Sequence, residues 1–464
     1  MTSLTLLTLA VVVFGMVNTR GYGRALALGA STPVGAAAVL GGTVVLTFYA
    51  VSIGAAVGLV VRLLTRSRRQ ERIPDPAAPG VYLLVAFTGW AVLVTLLAPY
   101  LFTGLEVLGP LGARRLDPGV LSQSNLAQTI YLVLGVCVVA FLSRSRWAGP
   151  EIIGTAVGIP VLLSLWAYLG TLGLPFPIGF FDNAPNFAYI DTAAGGIDRF
   201  RGIFSEPSGL GGTCLVAIAY LWSRLSHVDG ARRLGTLLVM VVAGYLGLIS
   251  TSATFVVAGV AVLVIAGGVS IARLVLRRGP VTLLSFSLTW AAAVAALWYL
   301  PLLATLFNQV VDDKVVSDSF TVRSGADSYS FGLAWETLGV GVGIGSNRPS
   351  SFVATLLSTV GVVGTVLFVA VVATLVRRGY DFAEMRPVIW ALVALLVTKA
   401  IAGPDLNDPN GLTWLCLGIL AHHAVVARRT RGRVLGSLPT SPPGDGVLPA
   451  QADSRPVLAP PRQV

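Results

Sequence analysis

The sequence predicts an all-α polytopic membrane protein of about twelve transmembrane helices with two large extracytoplasmic loops. Three observations predict it. Of 464 residues, 55% are hydrophobic and only 11% are charged, where a soluble domain carries roughly a quarter charged residues. The apolar runs continue for about 17 to 26 residues without alternating, which selects helices over a barrel as the way to satisfy backbone groups in lipid. The basic residues gather in short clusters between those runs, as in Arg62, Arg66, Arg68, Arg69 and Arg72. That is the pattern of cytoplasmic loops, and it argues against nucleic-acid binding despite a net charge of +11.

The apolar runs place spans at about 3–18, 39–61, 80–104, 127–143, 152–174, 207–223, 234–250, 253–272, 280–304, 351–375, 388–402 and 411–427. The first lacks a basic flank and a small-residue cleavage site, so it reads as an uncleaved helix rather than a signal peptide. Residues 35–64 suit either a tilted helix or a helix with a re-entrant turn. With both termini in the cytoplasm, 22 of the 32 basic residues lie inside, 9 lie outside and Lys399 lies within a span. The positive-inside rule therefore orients the chain in the plasma (inner) membrane with both ends cytoplasmic. Residues 1–433 form a single transmembrane domain. Residues 434–464, rich in Pro and Gly, have no periodic apolar face and read as a disordered cytoplasmic tail. Cys137, Cys214 and Cys416 lie far apart within apolar runs and suggest neither disulfides nor a zinc site.

The two long outward loops run from about 175 to 206 and from about 306 to 350. Long loops on a rigid scaffold are where function concentrates. The first ends Arg199-Phe200-Arg201-Gly202-Ile203-Phe204-Ser205-Glu206-Pro207-Ser208-Gly209. Ser205 to Pro207 reads as a helix start, with Ser as cap and Pro in the first turn. Free N–H groups there suit a phosphate, and Arg199 and Arg201 add positive charge with bidentate geometry. Gly209, Gly211 and Gly212 suit close helix packing or the approach of a substrate. The second loop carries Arg323, Asp327 and Glu336, then Gly339, Gly341, Gly343 and Gly345 at alternate positions. Such spacing suits an extended segment approached closely by a backbone or ligand. Arg348 follows, ahead of a second helix start at Pro349 to Ser351. Two arginines at two outward helix starts suggest one shared anionic ligand, gripped by Arg201 and Arg348 together.

His227, His422 and His423 all fall on the cytoplasmic side, so an outward general base must be a carboxylate. Glu206 is placed for that role, contributing about 10²–10⁴-fold, or for the plainer role of partner to the helix dipole. Lys399, four residues before Gly403-Pro404-Asp405, reads as a lysine snorkelling to the interface, with phosphate binding as the alternative.

The segment from Arg201 to Ser208 resembles the R-x-G-x-F-x-E-P segment of the O-antigen polymerase and ligase superfamily. The Arg201 to Gly212 spacing, the run Gly341 to Ser346 and the turn Ser250 to Thr254 resemble further family features, over roughly residues 80–427. The resemblance implies a metal-independent glycosyltransferase, without cofactor, acting on polyprenyl-diphosphate-linked oligosaccharide. It implies diphosphate binding by Arg201, Arg323 and Arg348 and catalysis by Arg201 and Glu206; the charges of the loops and spans add Arg199 to the diphosphate-binding set and Glu336 and Lys399 as accessory residues, and a chain-length regulator and flippase are the expected partners. The ligases' His–Asn pair has no counterpart, since Asn347-Arg348 occupies that region, and this favours a polymerase. Ala253 stands where the family's middle turn carries an arginine. The competing readings are ligase-like transfer to a lipid or wall acceptor and, from a different class, a lipid-linked glycan flippase. A coupled transporter needs ionisable groups near mid-membrane, and the spans hold few.

Overall fold

A computed structural model describes residues 2–17, 21–41, 43–68, 79–109, 112–185, 187–190, 199–275 and 318–436, with Ser287 and Trp290 singly between the last two stretches. In chain order these form α1 (Ser3–Val17), α2 (Tyr22–Ala30), strands β1 (Ala37–Leu40) and β2 (Thr43–Leu46), α3 (Thr47–Arg68), α4 (Pro79–Leu101), strands β3 (Glu106–Gly109) and β4 (Gly112–Arg115), α5 (Gln123–Ser143), α6 (Glu151–Thr171), α7 (Pro207–Arg224), α8 (Gly230–Ile249) and α9 (Ala253–Val275). After the undescribed stretch come α10 (Asp318–Glu336), α11 (Phe352–Thr359), α12 (Gly361–Gly379), α13 (Arg386–Ala402) and α14 (Leu412–Gly436).

Seven of the described helical segments are long and apolar enough to cross a bilayer: Gly80–Leu101, Gln123–Ser143, Glu151–Thr171, Gly230–Ile249, Ala253–Arg273, Gly361–Gly379 and Ala383–Ala402. Ser3–Val17, Thr47–Val61 and Leu412–Arg428 are apolar but shorter. At 1.5 Å per residue, the 15 residues of α1 fall short of the roughly 30 Å hydrocarbon core. Large apolar side chains such as Leu96, Val366 and Leu248 remain exposed on the spanning helices, as a lipid environment permits.

Apart from Ser287 and Trp290, the expected span at 280–304 lies outside the described residues, as do the first part of the second loop (306–317) and the tail from 437 onward. Elsewhere the structure departs from the expected spans in three places. The run 39–61 is not one helix. Its first part joins an antiparallel hairpin pairing Ala37 with Leu46 and Leu40 with Thr43, and α3 follows. Val39, Thr43, Val44 and Val45 supply β-branched residues, Gly41 turns the chain at φ +54°, and the Asn183 side chain clamps both main-chain groups of Ala37 at 2.9 Å. The run 351–375 breaks between α11 and α12, where Gly361 has φ +67° and a Cβ would collide with the carbonyls of Gly339 and Val340. The described part of the second long loop, residues 318–350, is mostly helix, because α10 takes up 19 of its residues.

The packing centre is α7, which lies against α6, α8, α9 and α13. Its glycines make that closeness possible. A Cβ on Gly211 would stand 3.0 Å from Ser252 Cβ, and one on Gly212 would stand 2.8 Å from Thr398 Cγ2. The packing reading of these glycines is the one observed. By its internal contacts the chain divides into Met1–Val425 and Val426–Val464. Everything described below belongs to the first unit.

Candidate functional site

The second glycine run builds a rigid arm that presents Arg348. Gly339, Gly341, Gly343 and Gly345 all have positive φ, at +75°, +93°, +87° and +75°. The arm is therefore a chain of left-handed turns and not the extended segment the spacing suggested. Its neighbours are backbones. Cβ atoms at 341, 343 and 345 would meet Thr359 O at 2.7 Å, Thr95 Cα at 2.8 Å and Ser124 O at 2.6 Å. Glycine is required because any side chain would both strain the turn and strike these helices. Hydrogen bonds fix the register: Val342 N–H donates to Ser358 O (2.8 Å), Gly343 N–H to Thr359 O (2.9 Å) and Ile344 N–H to the Thr95 hydroxyl (2.9 Å). Asn125, from the start of α5, donates to Ile344 O (2.6 Å) and to the Ser346 hydroxyl (2.8 Å).

The tip of the arm is held as firmly. Asn347 is buried; its Oδ1 accepts from Leu108 N–H at 3.1 Å, and its Nδ2 donates to Ser330 at 2.8 Å and Ser358 at 3.0 Å. Asp327 on α10 accepts from the N–H groups of Ser350 (2.6 Å) and Ser351 (3.0 Å). The helix start expected at Pro349 to Ser351 is real, with Ser351 capping α11, but a carboxylate of the protein already occupies its approach. Between buried Asn347 and buried Pro349, the Arg348 side chain is exposed.

Arg348 borders a cleft of about 160 Å³ whose lining also includes Ser124, Gln128, Thr355, Pro404 and Asp405. Gln128 is oriented by Asn407, whose Nδ2 donates both to the Gln128 carbonyl (2.7 Å) and to its Oε1. The Gln128 amide nitrogen is thereby left as a donor. The cleft thus combines a guanidinium, an amide donor and a hydroxyl with the carboxylate of Asp405.

Asp405 is held through its main chain. Its carbonyl accepts from Lys399 Nζ at 2.6 Å, and the neighbouring Pro404 carbonyl accepts from Thr355 at 2.7 Å. Lys399 is buried, lies over the Phe352 ring at 5.3 Å and faces buried Asp408 at 3.8 Å. This corrects the snorkelling expectation: the ammonium folds back onto the 403–411 turn, where main-chain acceptors and a carboxylate replace its hydration.

The arginines of the first loop divide. Arg201 forms a bidentate pair with Asp182, at 3.0 and 2.6 Å, donates to Phe204 O at 2.8 Å and lies against the Tyr189 ring. Its side chain is only 13% exposed, and it is not among the residues lining the Arg348 cleft. The expected joint grip of Arg201 and Arg348 on one group is therefore not what their contacts show. Arg201 ties two parts of its own loop together. Arg199 instead reaches the turn before α9, donating to the Thr251 hydroxyl (3.0 Å) and carbonyl (3.1 Å). Thr251 has φ +45°, so this arginine braces a strained turn.

Burial draws the Arg199 guanidinium below its usual pKa, with Glu206 opposing the shift and Arg323 adding to it. These three therefore share one electrostatic neighbourhood. Arg323 and Glu206 are half-exposed and 4.0 Å apart. Glu206, not Ser205, is the N-cap of α7, and its side chain makes no capping bond. Glu336 ends α10 exposed. It lies near enough to Tyr329 to add, after burial and Glu106, to the upward shift of that phenol's pKa.

Sequence reasoning missed Asp405, Gln128, Asp182 and Asn347. Local signals existed for Asn347, which follows the glycine run directly, and for Asp405, in the Gly403-Pro404-Asp405 turn after a lysine inside a span. Among the described residues no group of three or more His, Cys, Asp or Glu converges as a metal site would require. Compared with known proteins, the chain matches no family model and no curated sequence.

Proposed function

We propose that this chain is a membrane glycosyltransferase. It polymerises polyprenyl-diphosphate-linked oligosaccharide repeat units into surface polysaccharide at the extracytoplasmic face of the plasma membrane. The observation that carries the reading is Arg348: an exposed arginine, carried on a main-chain arm that is buried and hydrogen-bonded on both sides of it, lining a polar cleft with Gln128. A cation with neighbouring donors suits an oxyanion-rich group such as a diphosphate. The diphosphate gains charge as the sugar departs, so a guanidinium at that point favours the transition state. The cleft of about 160 Å³ is smaller than the roughly 300–1,000 Å³ of a site enclosing a drug-sized ligand. It therefore accommodates the head group, with the glycan and the polyprenyl tail extending away. The Arg199, Glu206 and Arg323 group supplies a second charged region near the start of α7.

The charge asymmetry of the loops supports the orientation, and the motif around Arg201 to Ser208 supports the family resemblance. The test is reconstitution of the purified chain in proteoliposomes with polyprenyl-diphosphate-linked repeat units. The reading predicts a ladder of lipid-linked multimers, with one polyprenyl diphosphate released per linkage. Products limited to a single transfer onto a non-lipid acceptor, or no consumption of the lipid-linked unit, would refute it.

A further inference from the structure

We infer that Asp405 is the general base of this site, taking the proton from the acceptor hydroxyl, and that Lys399 is its positioning residue. The inference rests on the glycosyl-transfer reading and deepens it.

Elimination among the carboxylates comes first. Asp327 accepts two main-chain N–H groups at the start of α11. Asp182 is engaged by Arg201, and Asp408 accepts from Thr413 N–H at 2.6 Å and faces Lys399. Glu206 lies beside Arg323, not in the cleft lining. Asp405 alone of these lines the cleft with Arg348, and its side chain has no hydrogen bond or ion pair among the described residues. A base must be within reach of the reacting group and have its lone pairs available. Asp405 meets both conditions.

The way Asp405 is held is the second argument. Its peptide is pinned on both sides, Pro404 O by Thr355 and Asp405 O by Lys399. All of the restraint is on the main chain, so the residue is anchored at the cleft while its carboxylate oxygens stay available. Lys399 is buried to 8% exposure, and through this bond it fixes the main chain from which the carboxylate extends. Two opposite charges borne on separate rigid elements then face one small space: Arg348 on the glycine arm and Asp405 on the 403–411 turn.

The step balances within this arrangement. The acceptor hydroxyl oxygen forms a bond to the anomeric carbon. The bond from that carbon to the diphosphate oxygen breaks, and its electron pair leaves with the diphosphate, held by Arg348. The hydroxyl proton passes to the Asp405 carboxylate and then to solvent. No oxidant, reductant or further reactant is required.

The test uses the full chain in nanodiscs, with undecaprenyl diphosphate as the binding probe and lipid-linked repeat units as substrate. Asp405→Asn keeps the main-chain carbonyl that Lys399 holds, so the fold and the cleft remain. It is expected to bind undecaprenyl diphosphate within about twofold of wild type while kcat falls about 10²–10⁴-fold with KM little changed. Lys399→Met is expected to lower kcat with a lower melting temperature, while Asp405→Asn melts like wild type. Turnover by Asp405→Asn within a few fold of wild type overturns the inference and leaves polymerisation standing. Loss of probe binding by Asp405→Asn likewise overturns it, because the residue then binds substrate or maintains the cleft. If folded wild type neither binds the probe nor consumes the repeat unit, the underlying reading fails and the inference with it.

Discussion

Three arginines that look alike in the sequence do three different jobs. Arg348 is exposed at the cleft, Arg199 braces the Thr251 turn and Arg201 is sealed against Asp182. The Arg201 pair is mostly buried, and breaking a buried pair costs about 3–5 kcal/mol. Arg201→Ala should therefore lower the melting temperature in detergent, Asp182→Ala should do the same, and the double variant should show less than the sum. An Arg201→Ala protein with wild-type melting but no binding of polyprenyl diphosphate would show that this arginine serves the ligand instead. Arg348→Ala should behave in the opposite way. It should leave melting within about 0.5 kcal/mol, as surface substitutions do, yet weaken undecaprenyl diphosphate binding about 10- to 100-fold, the loss of a charge-assisted bond of about 1.5–3 kcal/mol. Arg348→Lys should recover part of it, since a lysine keeps the charge without the planar fork. The sequence showed that these arginines precede helix starts. It held no sign of which one has a carboxylate partner, because Asp182 lies 19 positions from Arg201 and the two meet only through loop folding.

At the level of elements, the seven long apolar helices were legible because length and composition alone define them. The hairpin at 37–46 was not, since a strand pair of Val and Leu has the same composition as the helix that continues from it. Helix α10 was missed for the opposite reason. It is largely polar and buries only a narrow strip, including Ser330 and Leu333, so it carries no apolar stripe to read. The alternating glycines were visible as a motif, and of the two close neighbours they suggested, a backbone or a ligand, the structure shows the backbone. Their left-handed turns were not foreseen, because a period of two normally signals a strand. This element makes a sharp prediction. Gly343→Ala places a side chain at positive φ against Thr95 Cα, which adds steric overlap to roughly 1–2 kcal/mol of backbone strain, and should sharply reduce the yield of folded protein. Gly235→Ala in α8, with nothing within 4 Å of its Cβ, should be neutral or stabilising by up to about 1 kcal/mol. Equal melting temperatures for the two variants would contradict the close backbone packing of the glycine arm.

Across the whole molecule, the apolar bundle carries polar chemistry in a few well-anchored places. The cleft draws its lining from β3, α5, the glycine arm, α11 and the 403–411 turn, five segments brought together from distant parts of the chain. None of them is a conspicuous motif by itself except the glycine arm, which is why Gln128 and Asp405 could not be singled out from sequence. The most direct measurement is photocrosslinking of a diazirine-bearing polyprenyl diphosphate to the chain in proteoliposomes, with labelled peptides mapped and unlabelled undecaprenyl diphosphate as competitor. The account predicts competed labelling at residues 344–349 and 404–406, lost in Arg348→Ala. Competed labelling confined to the Asp182–Arg201 region, or labelling indifferent to competitor, would contradict it.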